Sequence, residues 1–346
     1  MKNVVILSTL LSPFRSGAEA CAEEVAVELS DKFNITIITA KLKPGLKRRD
    51  TLRGKVPVIR VGIGCMLDKW LFPFLAPFAA RRLKPDVIHA ILESYAGAAL
   101  MACKWLTKAK RILTCQSTNT SLLVGSMHRS ADAVTCISTA LQERAKKFGT
   151  EAKLIPNGLH LSDVPEKDKV LGRILFAGRL EKMKGVDTLL MAMTTLPSQT
   201  HLHVVGDGSL RAQLELRAEK LDLSDRVTFL GFIPVPDVYK EFAHADIFCG
   251  LSRSEAFGNV FVEAQAAGCA VIGTNIGGIP DIISHGKTGL LVAPDDPEAA
   301  SKAISSLLDD ASLKKRLVEA GKENAKKYDW KEIAEEYAKI YTTIDN

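Results

Sequence analysis

The sequence predicts an α/β protein built as two doubly wound halves, and three observations carry that prediction. Short runs rich in β-branched residues alternate along the whole chain with amphipathic segments, the pattern of parallel sheets wound with helices. A polar stretch, Ser162 to Lys169, interrupts the pattern just after the turn signature Pro156-Asn157-Gly158 and reads as a linker. The length of 346 residues exceeds what one core serves comfortably and fits two domains.

In the first half the strand candidates are Val4–Ser8, Ile35–Thr39, Val56–Val61, Val87–Ala90, Arg111–Thr114, Ala133–Ile137 and Lys153–Ile155. Helical segments lie between most of them, among them Ala18–Asp31 and Tyr95–Leu106. The pattern restarts at Arg173–Ala177 and continues with His201–Val205, Val227–Leu230, Ile247–Gly250, Ala270–Thr274 and Gly289–Val292. The halves match in layout and not in motif, so they are two similar folds and not a repeat array. The last segment, Trp330–Thr343, gathers Trp330, Ile333, Ala334, Tyr337, Ile340 and Tyr341 on one side. Such a face needs a partner, which predicts packing back across the domain junction. The expected division is residues 1–160, residues 170–327 and a closing helical segment, residues 328–346.

Composition bounds the function. Hydrophobic residues make up 47% and charged residues 25%, ordinary for a globular protein. No run of 18 apolar residues occurs, so no spanning helix is expected. Val4-Val5-Ile6-Leu7 is too short for a signal peptide's apolar core and reads as a first strand. Seven scattered cysteines without a C-x-x-C pair argue against a disulfide framework or a zinc site and suit a reducing cytosol.

The charge is uneven. Residues 1–160 carry 24 Lys+Arg against 12 Asp+Glu, giving +12; the remainder carries 22 against 28, giving −6. Residues 41–60 hold eight basic residues and one acid, and directly after them Trp70, Leu71, Phe72, Phe74, Leu75 and Phe78 precede Arg81-Arg82. Two readings stand here. Basic residues beside exposed aromatics suit an anionic bilayer surface; a solvated loop followed by a core helix is the plainer alternative. The sequence does not say which face of that helix is wet. No nucleic-acid motif accompanies the charge, so nucleic acid is not an expected partner.

Four motifs fall where strands should end, where open α/β sheets bind ligands. Ser16-Gly17-Ala18-Glu19 follows the first strand; its glycine lets main-chain N–H groups approach a phosphate, although a single glycine read alone is more often a plain turn. Gly178 to Gly185 opens the second half's first helix with Arg179 and Lys184, a fork and a point charge for phosphate oxygens, or else two solvated cations. Ser254 to Ala264 carries Glu255 and Glu263 on either side of a helix start, with Glu255 in the loop and Glu263 about two turns inside. Gly268 is expected to close that helix. The N–H groups around Phe257, Gly258, Asn259 and Val260 offer an anion cradle. This suits a sugar nucleotide, with one acid for sugar hydroxyls, amides for phosphate and the second acid for ribose. Val205-Gly206-Asp207-Gly208 reads as a turn whose Asp207 caps the next helix.

With these residues assembled, the chain resembles the retaining glycosyltransferases of family four (glycosyl transferases group 1). That group has the GT-B fold, two Rossmann-like α/β domains with parallel sheets facing across a cleft. The likeness runs from Gly17-Ala18-Glu19 through Pro156-Asn157-Gly158, Arg179, Lys184 and Glu255-x7-Glu263 to Gly277-Gly278-Ile279-Pro280 and Tyr328-Asp329-Trp330. It implies an acceptor-side domain first, a donor domain second and a closing helix on the first. It implies that Arg179 and Lys184 neutralise the donor diphosphate, Glu255 touches the transferred sugar and Glu263 holds the ribose. Gly17 lends a main-chain N–H, and the base rests near Phe232 and Ile233. The implied activity is transfer of a hexose from a UDP- or GDP-linked donor to a glycan or lipid-linked acceptor. The implied enzyme needs no metal or other cofactor and is cytoplasmic, with attachment to the inner membrane face left open.

Two departures stand out. Many relatives have a histidine where Thr114-Cys115-Gln116-Ser117 has Gln116, which can contact a donor sugar but cannot take a proton near neutral pH. Ser16 stands where relatives often show a second glycine, so that loop is expected to be shaped differently. His89 matches a histidine common after its strand, with a structural role expected. Other readings are an epimerase of the same fold or a non-catalytic sugar-nucleotide binder. A nucleotide-dependent dehydrogenase would need a third glycine where Arg211 stands.

Overall fold

The computed structural model describes residues 1–14, 17–118, 122–165, 169–235 and 237–344. The altered loop shape anticipated at Ser16 falls outside the described residues. The chain divides into two compact units, Met1–Gly158 with Trp330–Asn346, and Leu159–Asp329. The division thus falls directly after Pro156-Asn157-Gly158. The polar stretch expected to link the halves begins inside the second unit, where Leu161–Asp163 form a short 3-10 turn.

In the first unit β1 (Asn3–Leu7), α1 (Gly17–Glu28), β2 (Asn34–Ala40), β3 (Arg49–Leu52), β4 (Val56–Val61) and α2 (Asp68–Arg82) come in order. There follow β5 (Val87–Ile91), α3 (Tyr95–Leu106), β6 (Lys110–Cys115), α4 (Val124–Ser130), β7 (Ala133–Cys136), α5 (Thr139–Lys147) and β8 (Ala152–Leu154). The sheet order is β3-β4-β2-β1-β5-β6-β7-β8. All described pairings are parallel except β3 with β4. Val4, Val5, Ile6 and Leu7 are buried, as the continuous apolar run of a doubly covered parallel strand requires.

Strand β3 has no counterpart among the sequence candidates. Its residues are Arg-Asp-Thr-Leu, mostly exposed at the sheet edge, so no apolar alternation marks it. Arg53 (φ 47°) and Gly54 (φ 68°) make the two-residue turn into β4, and Lys55 N–H closes it on the Leu52 carbonyl at 3.0 Å.

Helix α2 decides the question of the wet face. Phe72, Ala76, Pro77 and Ala80 point into the unit, whereas Trp70, Phe74 and Phe78 are 59%, 70% and 56% exposed.

The second unit holds β9 (Val170–Ala177), α6 (Val186–Met193), β10 (His201–Val205), α7 (Arg211–Lys220), β11 (Val227–Gly231), α8 (Asp237–His244) and β12 (Ala245–Gly250). It continues with α9 (Asn259–Ala266), β13 (Ala270–Thr274), α10 (Ile279–Ile282), β14 (Leu290–Val292), α11 (Pro297–Asp309) and α12 (Ala311–Ala325). The order is β11-β10-β9-β12-β13-β14, and every described pairing is parallel. Its core gathers Ile174, Phe176, Leu189, Leu202, Val204, Ile247 and Ile272 between the sheet and its helices.

The last helix, α13 (Trp330–Thr343), belongs to the first unit and packs on α1, burying Trp330, Ile333, Tyr337 and Tyr341. Tyr341 Oη lies 2.7 Å from His89 Nδ1, and His89 Nε2 lies 2.6 Å from Thr114 Oγ1. His89 is fully buried, and burial drives its pKa down to about 3, so it sits there as a neutral hydrogen-bonding ring.

Candidate functional site

In the second unit the strand order turns around β9. Strands β10 and β11 extend to one side, and the chain then crosses to place β12 on the other. All strands are parallel, so the loops after β9 and β12 emerge side by side at one sheet edge, at the switch point where such sheets bind ligands. Those loops are Gly178–Gly185 and Leu251–Gly258.

The two loops press together backbone to backbone. Gly185 has φ 67°, and a Cβ there would stand 1.9 Å from the Leu251 carbonyl oxygen, so only glycine fits. Arg253 N–H donates to the Met183 carbonyl at 2.7 Å. The Arg253 guanidinium forks onto both Asp187 carboxylate oxygens at 2.9 Å, and Nε reaches Asp295 Oδ1 at 2.6 Å. Burial pushes the Asp187 carboxyl up, and the Arg253 fork outweighs it, holding that group below the usual carboxylate range.

This stapling sets the charged side chains. Lys184 Nζ donates to Glu255 Oε2 at 2.5 Å, with both side chains largely buried. Arg179 is exposed on the same loop and has no ion pair among the described residues. Glu181 accepts from Ser209 Oγ at 2.9 Å, tying the β9 loop to the loop after β10.

Gly258, at φ 99°, turns the chain into α9, which has no side-chain cap. The first-turn N–H groups of a helix lack intrahelical acceptors and lean toward negative charge. Helix α9 starts at Asn259, so Glu263 sits about one turn inside and not two, because the loop carrying Glu255 runs on further. Gly268 follows the helix end at φ 74°, as a glycine at that position should. Gly278 N–H donates to the Glu255 carbonyl at 3.2 Å, fixing the Glu255 loop from the β13 side. Phe257 is buried, its ring 5.8 Å from that of Tyr328. Phe232 is 77% exposed and Ile233 half-buried just beyond β11, on the same sheet edge.

Asp207 does not cap α7. That helix begins at Arg211 without a side-chain cap, and Asp207 accepts from its own turn's Gly208 N–H at 2.8 Å and pairs with Arg211.

In the first unit Gly17 opens α1, whose first turn already carries the buried acid Glu19. Gln116 and Asn157 exchange two amide hydrogen bonds, at 2.9 and 3.0 Å, and both are buried. Gln116 N–H also donates to Glu93 Oε2 at 2.8 Å, while Arg144 forms an ion pair with Glu93. Here sequence spacing missed a cluster: the ligand atoms of Glu93, Cys115 and His128 lie within 4.8 Å of one another. Burial pushes the Cys115 thiol up, and burial and then Arg144 bring His128 down to about 4. A guanidinium bonded to the only acid of the set opposes a cation there, so these residues read as buried packing around the β6 strand end. All seven cysteines are free thiols.

Sequence reasoning also missed Arg253. Its partners Asp187 and Asp295 lie 66 and 42 residues away, and no local signal joins them.

Comparison with known proteins bears on the family and the fold. The family described as "Glycosyltransferase Family 4" matches residues 15–163, and "Glycosyl transferases group 1" matches residues 162–324. The D-inositol 3-phosphate glycosyltransferase of Corynebacterium urealyticum is 34% identical over 57% of this chain and 48% of its own length. The chain therefore spans about half the length of that relative. The lipopolysaccharide core biosynthesis glycosyltransferase LpsE of Rhizobium meliloti is 29% identical over 90% of this chain and 92% of its own. Among solved structures, Anabaena Alr3699/HepE in complex with UDP and glucose superposes with a TM-score of 0.83 at 20% identity, covering 99% of this chain and 100% of that one. Between them the two family matches run from residue 15 to residue 324. The chain belongs to the group 1 glycosyltransferases of family 4, with the α/β GT-B fold of two Rossmann-like domains.

Proposed function

We propose that this protein transfers a hexose from a nucleoside-diphosphate sugar, UDP- or GDP-linked, to a glycan or lipid-linked acceptor with retention of anomeric configuration and without a metal ion. The observation that carries the reading is the stapled pair of loops at the β9/β12 switch point, where Lys184 meets Glu255 beside the exposed Arg179 and the uncapped start of α9.

In the reaction the bond from the anomeric carbon to the donor phosphate oxygen breaks, and the electron pair leaves with the nucleoside diphosphate. The acceptor hydroxyl oxygen bonds to the same face of the sugar, and its proton passes to the leaving phosphate. Negative charge thus grows on the diphosphate in the transition state. Arg179, Lys184 and the N–H groups of Gly258, Asn259 and Val260 answer it, with the Phe257 backbone beside them. Lys184 has three donors, so it can hold Glu255 and a phosphate oxygen together. Glu255 takes sugar hydroxyls, Glu263 takes the ribose, and Phe232 and Ile233 flank the base. Gly17 N–H adds a donor contact. A sugar contact from Gln116 requires its amide pair with Asn157 to open.

The UDP and glucose named with HepE, and the lipopolysaccharide core named with LpsE, support a sugar-nucleotide donor and a glycan or lipid acceptor. A lipid-linked acceptor places the enzyme as a peripheral protein on the inner membrane face. Among the described residues no helix is long and apolar enough to cross a membrane.

The test is thermal stability with UDP and GDP, followed by nucleoside diphosphate release from a panel of donors. A bound nucleotide at 100 times its Kd adds about 2.7 kcal/mol of stability. Isomerised donor without release would make the protein an epimerase; binding without turnover on any donor and acceptor would make it a binder. No shift with either nucleotide would remove the donor site.

A further inference from the structure

The outer face of α2 carries an apolar stripe from Leu67 to Phe78. Leu67, Trp70, Leu71, Phe74, Leu75 and Phe78 are all exposed, at the three- and four-residue spacing of one helix stripe. The opposite stripe, Phe72, Ala76 and Ala80, is equally apolar and buried. A water-facing helix surface normally carries charge, and a contiguous apolar patch rimmed by polar groups marks a docking surface.

The rim identifies the occupant. Arg81 and Arg82 end α2 and are exposed, as are Lys43, Lys47, Arg49 and Lys55 in the segment before it. The nearby acids are occupied. The Asp68 carboxylate is buried and accepts from the N–H groups of Ile63, Gly64 and Cys65 at 3.0, 2.6 and 3.2 Å. Asp50 pairs with Arg60 at 3.0 Å. An apolar stripe inside a basic rim asks for a partner that is apolar within and anionic at its surface. A bilayer with anionic headgroups has that layering. A second copy would set basic rim against basic rim.

We infer that the outer face of α2 lies in the headgroup–acyl boundary of an anionic bilayer, with Trp70, Phe74 and Phe78 inserted and Arg81 and Arg82 on the headgroups. This names the surface for the peripheral attachment already proposed and rests on it.

The test uses the full chain with vesicles of phosphatidylcholine alone or mixed with phosphatidylglycerol. Wild type should sediment with the mixed vesicles at low salt and be released at high salt. Phe74→Glu/Phe78→Glu should weaken that binding by at least about tenfold, because charge at the acyl boundary is strongly disfavoured. Its UDP-induced thermal shift should equal wild type's, which shows that it folds. Lipids brominated on their acyl chains should quench wild-type tryptophan emission, and Trp70→Phe should abolish most of that quenching while Trp105→Phe leaves it. Binding of Phe74→Glu/Phe78→Glu at wild-type strength would overturn the inference and leave peripheral attachment standing through another surface. Wild type failing to bind either vesicle would overturn both. A dimer in light scattering, lost in the double variant and indifferent to vesicles, would assign the face to a second copy and overturn the inference.

Discussion

Replacing Arg253 by alanine tests whether the candidate site depends on the staple between its two loops. The variant loses the two 2.9 Å bonds to Asp187 and the 2.6 Å bond to Asp295, and it strands Asp187 against the α6 start. Breaking a fully buried ion pair costs about 3–5 kcal/mol, but these side chains are 21% and 33% exposed, so solvent screening reduces the figure to roughly 2–3 kcal/mol. For a unit of this size that is a fall in Tm of about 4–12 °C. Asp187 also fixes the pH dependence. Its folded pKa lies below the unfolded value near 3.9, so its stabilisation is present above about pH 4 and is lost as pH falls through the folded pKa. The Tm gap between wild type and Arg253→Ala should hold steady from neutral to mildly acidic pH and narrow below pH 4. Scanning calorimetry across that range reads it. Loosening the loops should also lower transfer on the order of 100-fold, because misplacing charged groups by about 1 Å costs that much. A variant that melts with wild type at neutral pH and turns over normally would refute the staple.

Other outcomes follow from the same geometry. Arg179→Ala and Lys184→Ala should each cut transfer by about two orders of magnitude or more, equivalent to about 3–4 kcal/mol of lost transition-state stabilisation, which single-turnover rates check; Arg179→Ala should move Tm little, whereas Lys184→Ala should also lower it because Glu255 loses its partner. Buried neutral His89, with its pKa near 3, binds a proton in the unfolded chain first. Stability should therefore fall as pH drops from about 6.5, by up to about 1.4 kcal/mol per pH unit, and His89→Gln should flatten that slope in urea titrations. Gln116→Ala breaks the amide exchange with Asn157 and should cost about 1–3 kcal/mol in urea unfolding while leaving the UDP-induced shift intact.

Much of the fold was legible because short runs rich in β-branched residues, set between amphipathic segments, mark strands. Val56–Val61, His201–Val205 and Ala270–Thr274 match the observed strands residue for residue, as Tyr95–Leu106 and Trp330–Thr343 match their helices. Edge strand β3 was illegible because an edge has no obligation to be apolar. Helix α9 began later than read, since Gly258 at positive φ sets its start and leaves Glu263 about one turn inside rather than two. The acids and cations of the β9 and β12 loops could be named from sequence, since they follow strands. That Lys184 and Glu255 form a pair could not, because 71 residues separate them and only the sheet order makes their loops neighbours.

By itself the sequence determined two parallel α/β halves, their strand-end loops and the residue types those loops present. These are local matters of periodicity, turn chemistry and charge. Tertiary structure decided which strands stand side by side, and hence that Arg253 clamps two distant loops. It turned the amide of Gln116 onto Asn157, and it left Trp70, Phe74 and Phe78 on the wet side of a helix whose middle, Trp70 to Ala80, is apolar on every face. The physical reason is one: a pattern says which side chains avoid water, but burial is settled only when another part of the chain arrives to cover them.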